Sequence, residues 1–171
     1  KVQRIVEQKD ANDVEKAGTE INTGILACPR AFLADVLPKL SSNNAQGEYY
    51  LTDVIAMAVD AGLHVETRQP AHAWEVDGVN DRVQLSRLER IFQRVQAERL
   101  MRAGVTLADP ARLDVRGDVA TGTDLFIDVN VVLEGKVTLG SNVRIGPNVV
   151  IRNSEIGDGT VIEANSHIEG A

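Results

Sequence analysis

The side chains able to do chemistry are few and scattered. The one thiol, Cys28 in Ile25-Leu26-Ala27-Cys28-Pro29, has no second cysteine with which to form a disulfide or a thiolate metal site. His64, His72 and His167 have no Cys, Asp or Glu partners at metal-ligand spacing, so they read as surface or corner residues. Glu7, Asn22 and Asn80 bring a carboxylate and two carboxamides, directional partners for hydroxyl and amide groups. Taken alone, polar residues of this kind beside strands and turns are usually caps or solvated. Glu48, Tyr49 and Tyr50 can line a pocket or, as good an account, fix the loop that precedes a helix. Trp74 either anchors a loop or is exposed, and its surroundings in the sequence do not choose.

Composition narrows the partners. The 171 residues carry 18 Lys plus Arg against 25 Asp plus Glu, a net charge of −7, and no basic patch. Such a surface repels nucleic-acid phosphates and anionic lipid headgroups, so neither is expected as a partner. The longest apolar run, Val54 to Val59, falls far short of the roughly 20 residues a membrane-spanning helix requires. A start at Lys1 with no apolar signal core, together with a lone cysteine, fits a cytoplasmic piece of something longer.

The elements that would position these residues change character twice along the chain. Residues 1–82 read as mixed α/β, with short alternating runs at Val2 to Glu7, Ile21 to Ala27 and His64 to Arg68. Pro29 opens one helix, with Phe32, Leu33, Val36, Leu37 and Leu40 on one side and Pro38 distorting its end. Thr52 is the expected N-cap of a second, with Asp53 in its first turn, Val54, Ile55 and Ala58 on its apolar face and Gly62 at C′. A polar loop, Ser41 to Glu48, lies between them.

Residues 83–103 predict one long helix. Asp81 and Gln84 suit a capping box, Gly104 a stop, and Leu85, Leu88, Ile91, Phe92, Val95 and Leu100 a single packing stripe, as in an interdomain strut. From residue 113 onward a six-residue repeat takes over. In sixes from Val115, the first and fifth positions through Glu155 number 14, and 12 of them are Val, Ile or Leu. Those residue types make up 20 of the last 61, so chance would put about five there. After Ile151 the next aliphatic comes five residues on, at Ile156, so one corner is a residue short. The hexads predict a parallel β-solenoid of about three 18-residue coils from 115 to 171, with Gly140, Gly146, Gly157, Asn130, Asn142 and Asn148 at corners of unusual backbone angle.

Four segments in order carry a resemblance: Ile5-Val6-Glu7-Gln8-Lys9-Asp10-Ala11, Glu20-Ile21-Asn22-Thr23-Gly24, Asn44-Ala45-Gln46-Gly47-Glu48-Tyr49-Tyr50-Leu51-Thr52-Asp53, and Gly78-Val79-Asn80-Asp81-Arg82. Followed by a long helix and hexapeptide coils, the whole chain resembles the bacterial bifunctional N-acetylglucosamine-1-phosphate uridyltransferases and glucosamine-1-phosphate acetyltransferases. The segment Asn44 to Asp53 is its most specific motif. The resemblance implies the C-terminal portion of a Rossmann-like nucleotidyltransferase domain at 1–82, a linker helix at 83–103, and the first coils of a left-handed parallel β-helix acetyltransferase domain at 104–171.

Members of that family join UTP to N-acetylglucosamine 1-phosphate to give UDP-N-acetylglucosamine, and acetylate glucosamine 1-phosphate with acetyl-CoA, supplying peptidoglycan and lipopolysaccharide precursors. The resemblance implies that Glu7 and Asn22 contact the N-acetylglucosamine moiety and that Asn80 touches the nucleotide sugar and holds Mg²⁺; a neutral amide oxygen suits that hard cation. It implies a homotrimer. The family's phosphate-cradling glycine-rich loop and its acetyl-transfer residues match no segment here, so the chain by itself is expected to be inactive. Two other readings stay open: a structural β-helix module that assembles trimers, and a hexose-1-phosphate nucleotidyltransferase with an appended β-helix.

Overall fold

The aliphatic pairs of the hexads are the core. In the computed structural model, which describes residues 2–171, all twelve of the aliphatics predicted to point inward are buried, from Val115 through Ile151, and Ile156 and Ile162 continue the stack. The chain divides into two units, Lys1–Gly78 and Val79–Ala171.

In the second unit, eight strands wind as a parallel solenoid: β1 (Val105–Leu107), β2 (Leu113–Thr121), β3 (Leu125–Ile127), β4 (Val131–Leu139), β5 (Arg144–Ile145), β6 (Val150–Ile156), β7 (Val161–Ile162) and β8 (His167–Glu169). They form two four-stranded parallel sheets, β1-β3-β5-β7 and β2-β4-β6-β8. Four layers are thus present, one more than the hexads predict, because the first coil starts at Val105, ahead of the regular repeat. Its register hides it: Val105 pairs with Leu125, twenty residues on, since a short 3₁₀ turn at Pro110–Arg112 lengthens the coil. Later coils step by 18, as Val115 pairs with Leu133. The short corner is where the aliphatic spacing placed it: beyond Arg152 the step falls to 17, with Val137 opposite Ser154. Ser154 thereby takes an inward place, 1% exposed, and its hydroxyl donates to the Arg152 carbonyl at 2.7 Å.

Corner residues divide into two kinds. Asn130, Asn142 and Asn148 all sit at φ near 60°, as expected, and Asp124, Asn153 and Asn165 join them in the left-handed region. Asn130, Asn148 and Asn165 stack coil upon coil, each amide donating to the next at 2.9 and 3.2 Å. Gly140, Gly146 and Gly157 have no positive φ, which corrects the expected reason for them. At Gly140 the constraint is proximity, since a Cβ there would lie 2.6 Å from the Asp158 backbone nitrogen in the next coil. Gly135 answers both demands, with φ 71° and no room for a Cβ against the Asn153 carboxamide.

Helix α4 (Arg82–Arg102) precedes the solenoid, within a residue of its predicted bounds, and Gly104 follows it at φ 100°. Asp81 caps it, accepting from the Gln84 N–H at 2.8 Å, but the box closes differently: the Gln84 side chain accepts from the Asn80 N–H at 2.7 Å. The predicted stripe is the packed face only in part: Leu100 is buried and Leu88 half-buried, but Leu85, Ile91, Phe92 and Val95 are exposed, while Gln93 and Ala97, outside the stripe, are buried. Ala97 and Leu100 merge into the solenoid core, so one small residue, one polar residue and a single leucine of the stripe make the contact. Flanking them, Arg90 reaches Asp114 at 2.9 Å and Arg116 reaches the same carboxylate at 3.0 Å.

The first unit holds α1 (Asp13–Lys16), α2 (Arg30–Val36) and α3 (Asp53–Asp60), with single 3₁₀ turns at Leu37–Lys39 and Ala73–Val76. Pro29 opens α2 and Pro38 sits in the turn that ends it, as predicted. Asn12 and Glu15 close a capping box on α1, a helix the sequence reading missed. The mixed α/β expectation for residues 1–82 is met only in its helices: no strand forms at Val2 to Glu7, Ile21 to Ala27 or His64 to Arg68 among the described residues. Alternation makes a segment suited to a sheet, but a strand exists only when a neighbour supplies the ladder, and Ile21 and Ile25 stand 81% and 73% exposed. The Rossmann-like sheet is therefore not part of this structure.

Two outcomes test the packing. Ile145→Asp puts an unpaired carboxylate into the aliphatic stack and should unfold the solenoid, at a cost of several kcal/mol, whereas exposed Arg144→Asp should change its thermal midpoint little. Equal effects would put the hexad phase in error. The second concerns Asp114. Burial pushes its carboxyl up, but hydrogen bonds from Arg90 and Arg116 and their charges outweigh that and hold it below the usual value. A depressed folded pKa stabilises above the unfolded value and is lost as pH falls through the folded one. Urea unfolding should show a stability gap between the parent and Asp114→Asn that is full at pH 7 and closes as the pH drops below about 4.

Candidate functional site

Glu7 follows the extended run from Val2 and opens the turn in which the Asp10 N–H donates to its carbonyl at 2.9 Å. Its half-buried carboxylate accepts from the Thr52 hydroxyl at 3.3 Å. Thr52 was expected to cap α3, yet its backbone is helical (φ −61°, ψ −23°) and its side chain makes no cap bond. A helical N-cap residue points its hydroxyl away from the first-turn N–H groups, which frees it for Glu7.

The segment from Asn44 to Asp53 is folded against this first stretch. Asn44 Oδ1 accepts from the N–H groups of Gln46 (3.1 Å) and Glu48 (3.2 Å), and its amide donates to the Glu48 carbonyl. Asp10 accepts from the Ala45 N–H at 2.8 Å and from the Tyr50 hydroxyl at 3.1 Å. Gln46 donates to Tyr50 at 2.9 Å and accepts from Lys9 Nζ at 2.6 Å. Burial pushes the Tyr50 phenol above its ordinary value; the Asp10 carboxylate and the charge of Glu7 act in the same direction, against the Gln46 bond. Tyr50 is therefore a protonated tether between loop and turn. The loop-fixing account of Tyr50 has direct support, whereas Tyr49 is 70% exposed and Glu48 contributes backbone only.

Asn22 is exposed, in an irregular stretch, and its side chain forms no hydrogen bond among the described residues. Asn80 belongs to the second unit, immediately before the Asp81 cap; its N–H is tied to Gln84 and its side chain is exposed. The three predicted site residues thus differ in kind: one oriented carboxylate, two open carboxamides. Sequence reasoning missed Thr52 and Asp10 as supports. Both lie within the quoted motifs, so the signal was present, but nothing local says which residue of one motif meets which of another.

No group of three or more His, Cys, Asp or Glu able to hold a metal occurs among the described residues. His72 instead stacks on half-buried Trp74 with ring centroids 6.0 Å apart, and Cys28 is a half-buried free thiol. No helix of the described residues is long and apolar enough to cross a membrane.

Tyr50→Phe removes the tether, a loss on the order of 1 kcal/mol. Amide exchange at Ala45 and Glu48 should quicken, while Tyr49→Phe should leave both unchanged; equal rates in the parent and Tyr50→Phe would show that the loop holds without the Tyr50 hydroxyl.

Comparison with known proteins places this geometry. Residues 119–153 match the bacterial transferase hexapeptide (six repeats) family. The chain is 63% identical over 171 residues to the bifunctional protein GlmU of Pseudomonas putida, covering all of this chain and 38% of that protein. It is 61% identical over 170 residues to the protein of that name from Marinobacter nauticus, covering 99% of this chain and 37% of that one. To that of Paraburkholderia xenovorans it is 60% identical over 171 residues, with 100% and 38% covered. The chain thus spans about 38% of the length of these relatives. From its first motif to its last coil the chain is similar to a segment of the bifunctional GlmU proteins, and its solenoid is a left-handed β-helix of hexapeptide repeats.

Proposed function

We propose that this chain is part of a cytoplasmic enzyme that forms UDP-N-acetylglucosamine from UTP and N-acetylglucosamine 1-phosphate and acetylates glucosamine 1-phosphate with acetyl-CoA. The first unit contributes sugar-recognition residues of the nucleotidyltransferase, and the solenoid is the start of the acetyltransferase domain. The observation that carries the reading is the Glu7 carboxylate, fixed by Thr52 from the Asn44 to Asp53 segment, in a chain at least 60% identical to the three GlmU relatives along its length. An oriented carboxylate accepts hydrogen bonds from sugar hydroxyls, and the free amide of Asn22 suits the acetamido group, offering both a donor and an acceptor.

Mg²⁺, when bound in such enzymes, neutralises the charge of the transferring phosphates. Asn80 offers it one neutral oxygen, while Asp81 is committed to capping α4. Among the described residues no cluster of three or more His, Cys, Asp or Glu side chains stands beside Asn80 to complete a ligand set. The same reasoning makes the isolated chain inactive, because phosphoryl transfer depends on alignment that a complete phosphate cradle supplies. The flat sides of the prism suit packing about a threefold axis, which supports a homotrimer.

A structural module that only assembles trimers is favoured by one contrast: the solenoid has a continuous core, whereas among the described residues the first unit buries only Val36, Val54 and Ala58. Binding separates the two readings. Isothermal titration of this chain with UDP-N-acetylglucosamine and Mg²⁺ should give weak heat that Asn22→Ala removes; no heat at millimolar ligand favours the structural module. Competition between glucose 1-phosphate and N-acetylglucosamine 1-phosphate in the complete protein excludes a plain hexose-1-phosphate enzyme if the acetylated sugar wins.

A further inference from the structure

Strand β2 is the outermost strand of its sheet, paired on one side only with β4. An edge of this kind presents unsatisfied N–H and C=O groups to any other strand of matching register. Here one side chain occupies it. The Gln93 carboxamide donates from Nε2 to the Val115 carbonyl at 2.8 Å and accepts at Oε1 from the Val115 N–H at 2.7 Å. It is 3% exposed, on a helix whose other buried residues are Ala97 and Leu100.

We infer that α4 closes the first edge of the β-helix against strand addition by a second copy of this chain, with the Gln93 carboxamide standing in for the peptide group of a missing strand. A carboxamide has the donor and acceptor of a peptide on one rigid plane, and it meets both polar groups of Val115, the third residue of the edge strand. Its orientation is fixed, because the second hydrogen of Nε2 goes to Glu89 Oε1 at 2.9 Å, one helical turn back. The reversed amide would set its one oxygen against both the Glu89 carboxylate and the Val115 carbonyl, and its NH₂ against the Val115 N–H. On either side the helix spends charged groups on the same strand: Arg90 on Asp114, and Arg99 on the Val119 carbonyl at 3.5 Å. Two small or medium apolar residues, Ala97 and Leu100, let the helix lie close enough for a Gln to reach.

The alternative is that Gln93 only fills space. Gln93→Leu keeps the volume and removes both bonds, and amide exchange read residue by residue distinguishes the two. Closure of the edge predicts that Val115 N–H exchange rises on the order of tenfold or more while Ile145, deep in the stack, stays protected. It also predicts that the mass seen by light scattering grows with concentration in the variant and not in the parent, as freed edges pair. Unchanged Val115 exchange overturns the inference, and so does faster exchange with no growth in mass. Should Gln93→Leu lose protection at Ile145 as well, Gln93→Glu decides by the same two readouts. That variant retains an acceptor for the Val115 N–H and sets a carboxylate against the Val115 carbonyl and Glu89. It should loosen the edge and recover protection on acidification, when a protonated acid regains a donor; protection equal to the parent at pH 7 would overturn the inference.

Discussion

Each coil of the solenoid is stable only because another lies upon it, one strand spacing of about 4.8 Å away. An inward pair such as Val131 and Leu133 has no core of its own; it is buried by Leu113 and Val115 above and by Val149 and Ile151 below. Everything else at the corners is a consequence of that spacing. Stacked turns leave no room for a Cβ at Gly140, and the sharp change of direction asks for left-handed backbone at Asn130, Asn148 and Asn165, where short amide side chains repair the lost ladder by bonding to one another. The loss of one residue near Asn153 is absorbed in the same terms. Register slips by one, Ser154 turns inward, and its hydroxyl finds the Arg152 carbonyl, whereas Arg152 Nε stays buried without a partner among the described residues.

A stack needs a first layer, and that layer is where aliphatic stacking cannot serve on both faces. The residues α4 commits to it are of a different kind from those within: Ala97 and Leu100 bury against the core, but the backbone groups of Val115 need a hydrogen-bonding partner. This decides which face of α4 packs. Large apolar side chains such as Phe92 and Ile91 would hold the helix away from the edge, and the buried face goes instead to residues that allow close approach and restore two hydrogen bonds.

What could be read from the sequence follows from the range of the interactions. The hexads were legible because each coil repeats the same demand, and a signal repeated seven times survives a Thr121 or a Glu155. The helix ends at Asp81 and Gly104 were legible because caps are local. The first coil was not, since the 3₁₀ turn at Pro110–Arg112 breaks the period. Nor, Leu100 apart, was the packed face of α4, where the decisive residue is polar and its partner is 22 positions away. In the first unit the alternating runs at Ile21 and His64 were read as strands on pattern alone, yet pairing depends on neighbours the pattern does not name. Thr52 failed as a cap for a related reason: its hydroxyl serves Glu7, 45 residues earlier, and no local rule carries that distance.

That long-range bond also shapes what Glu7 can offer a ligand. A carboxylate has about four lone-pair sites, and Thr52 uses one of them, at Oε1. The cost of fixing the rotamer is met by the fold, so hydrogen bonds from a ligand to the remaining sites need not offset it. Asn22 and Asn80 stand differently, with exposed side chains whose order a ligand would have to impose. Glu7 is thus a pre-oriented acceptor, whereas Asn22 in the first unit and Asn80 in the second are not.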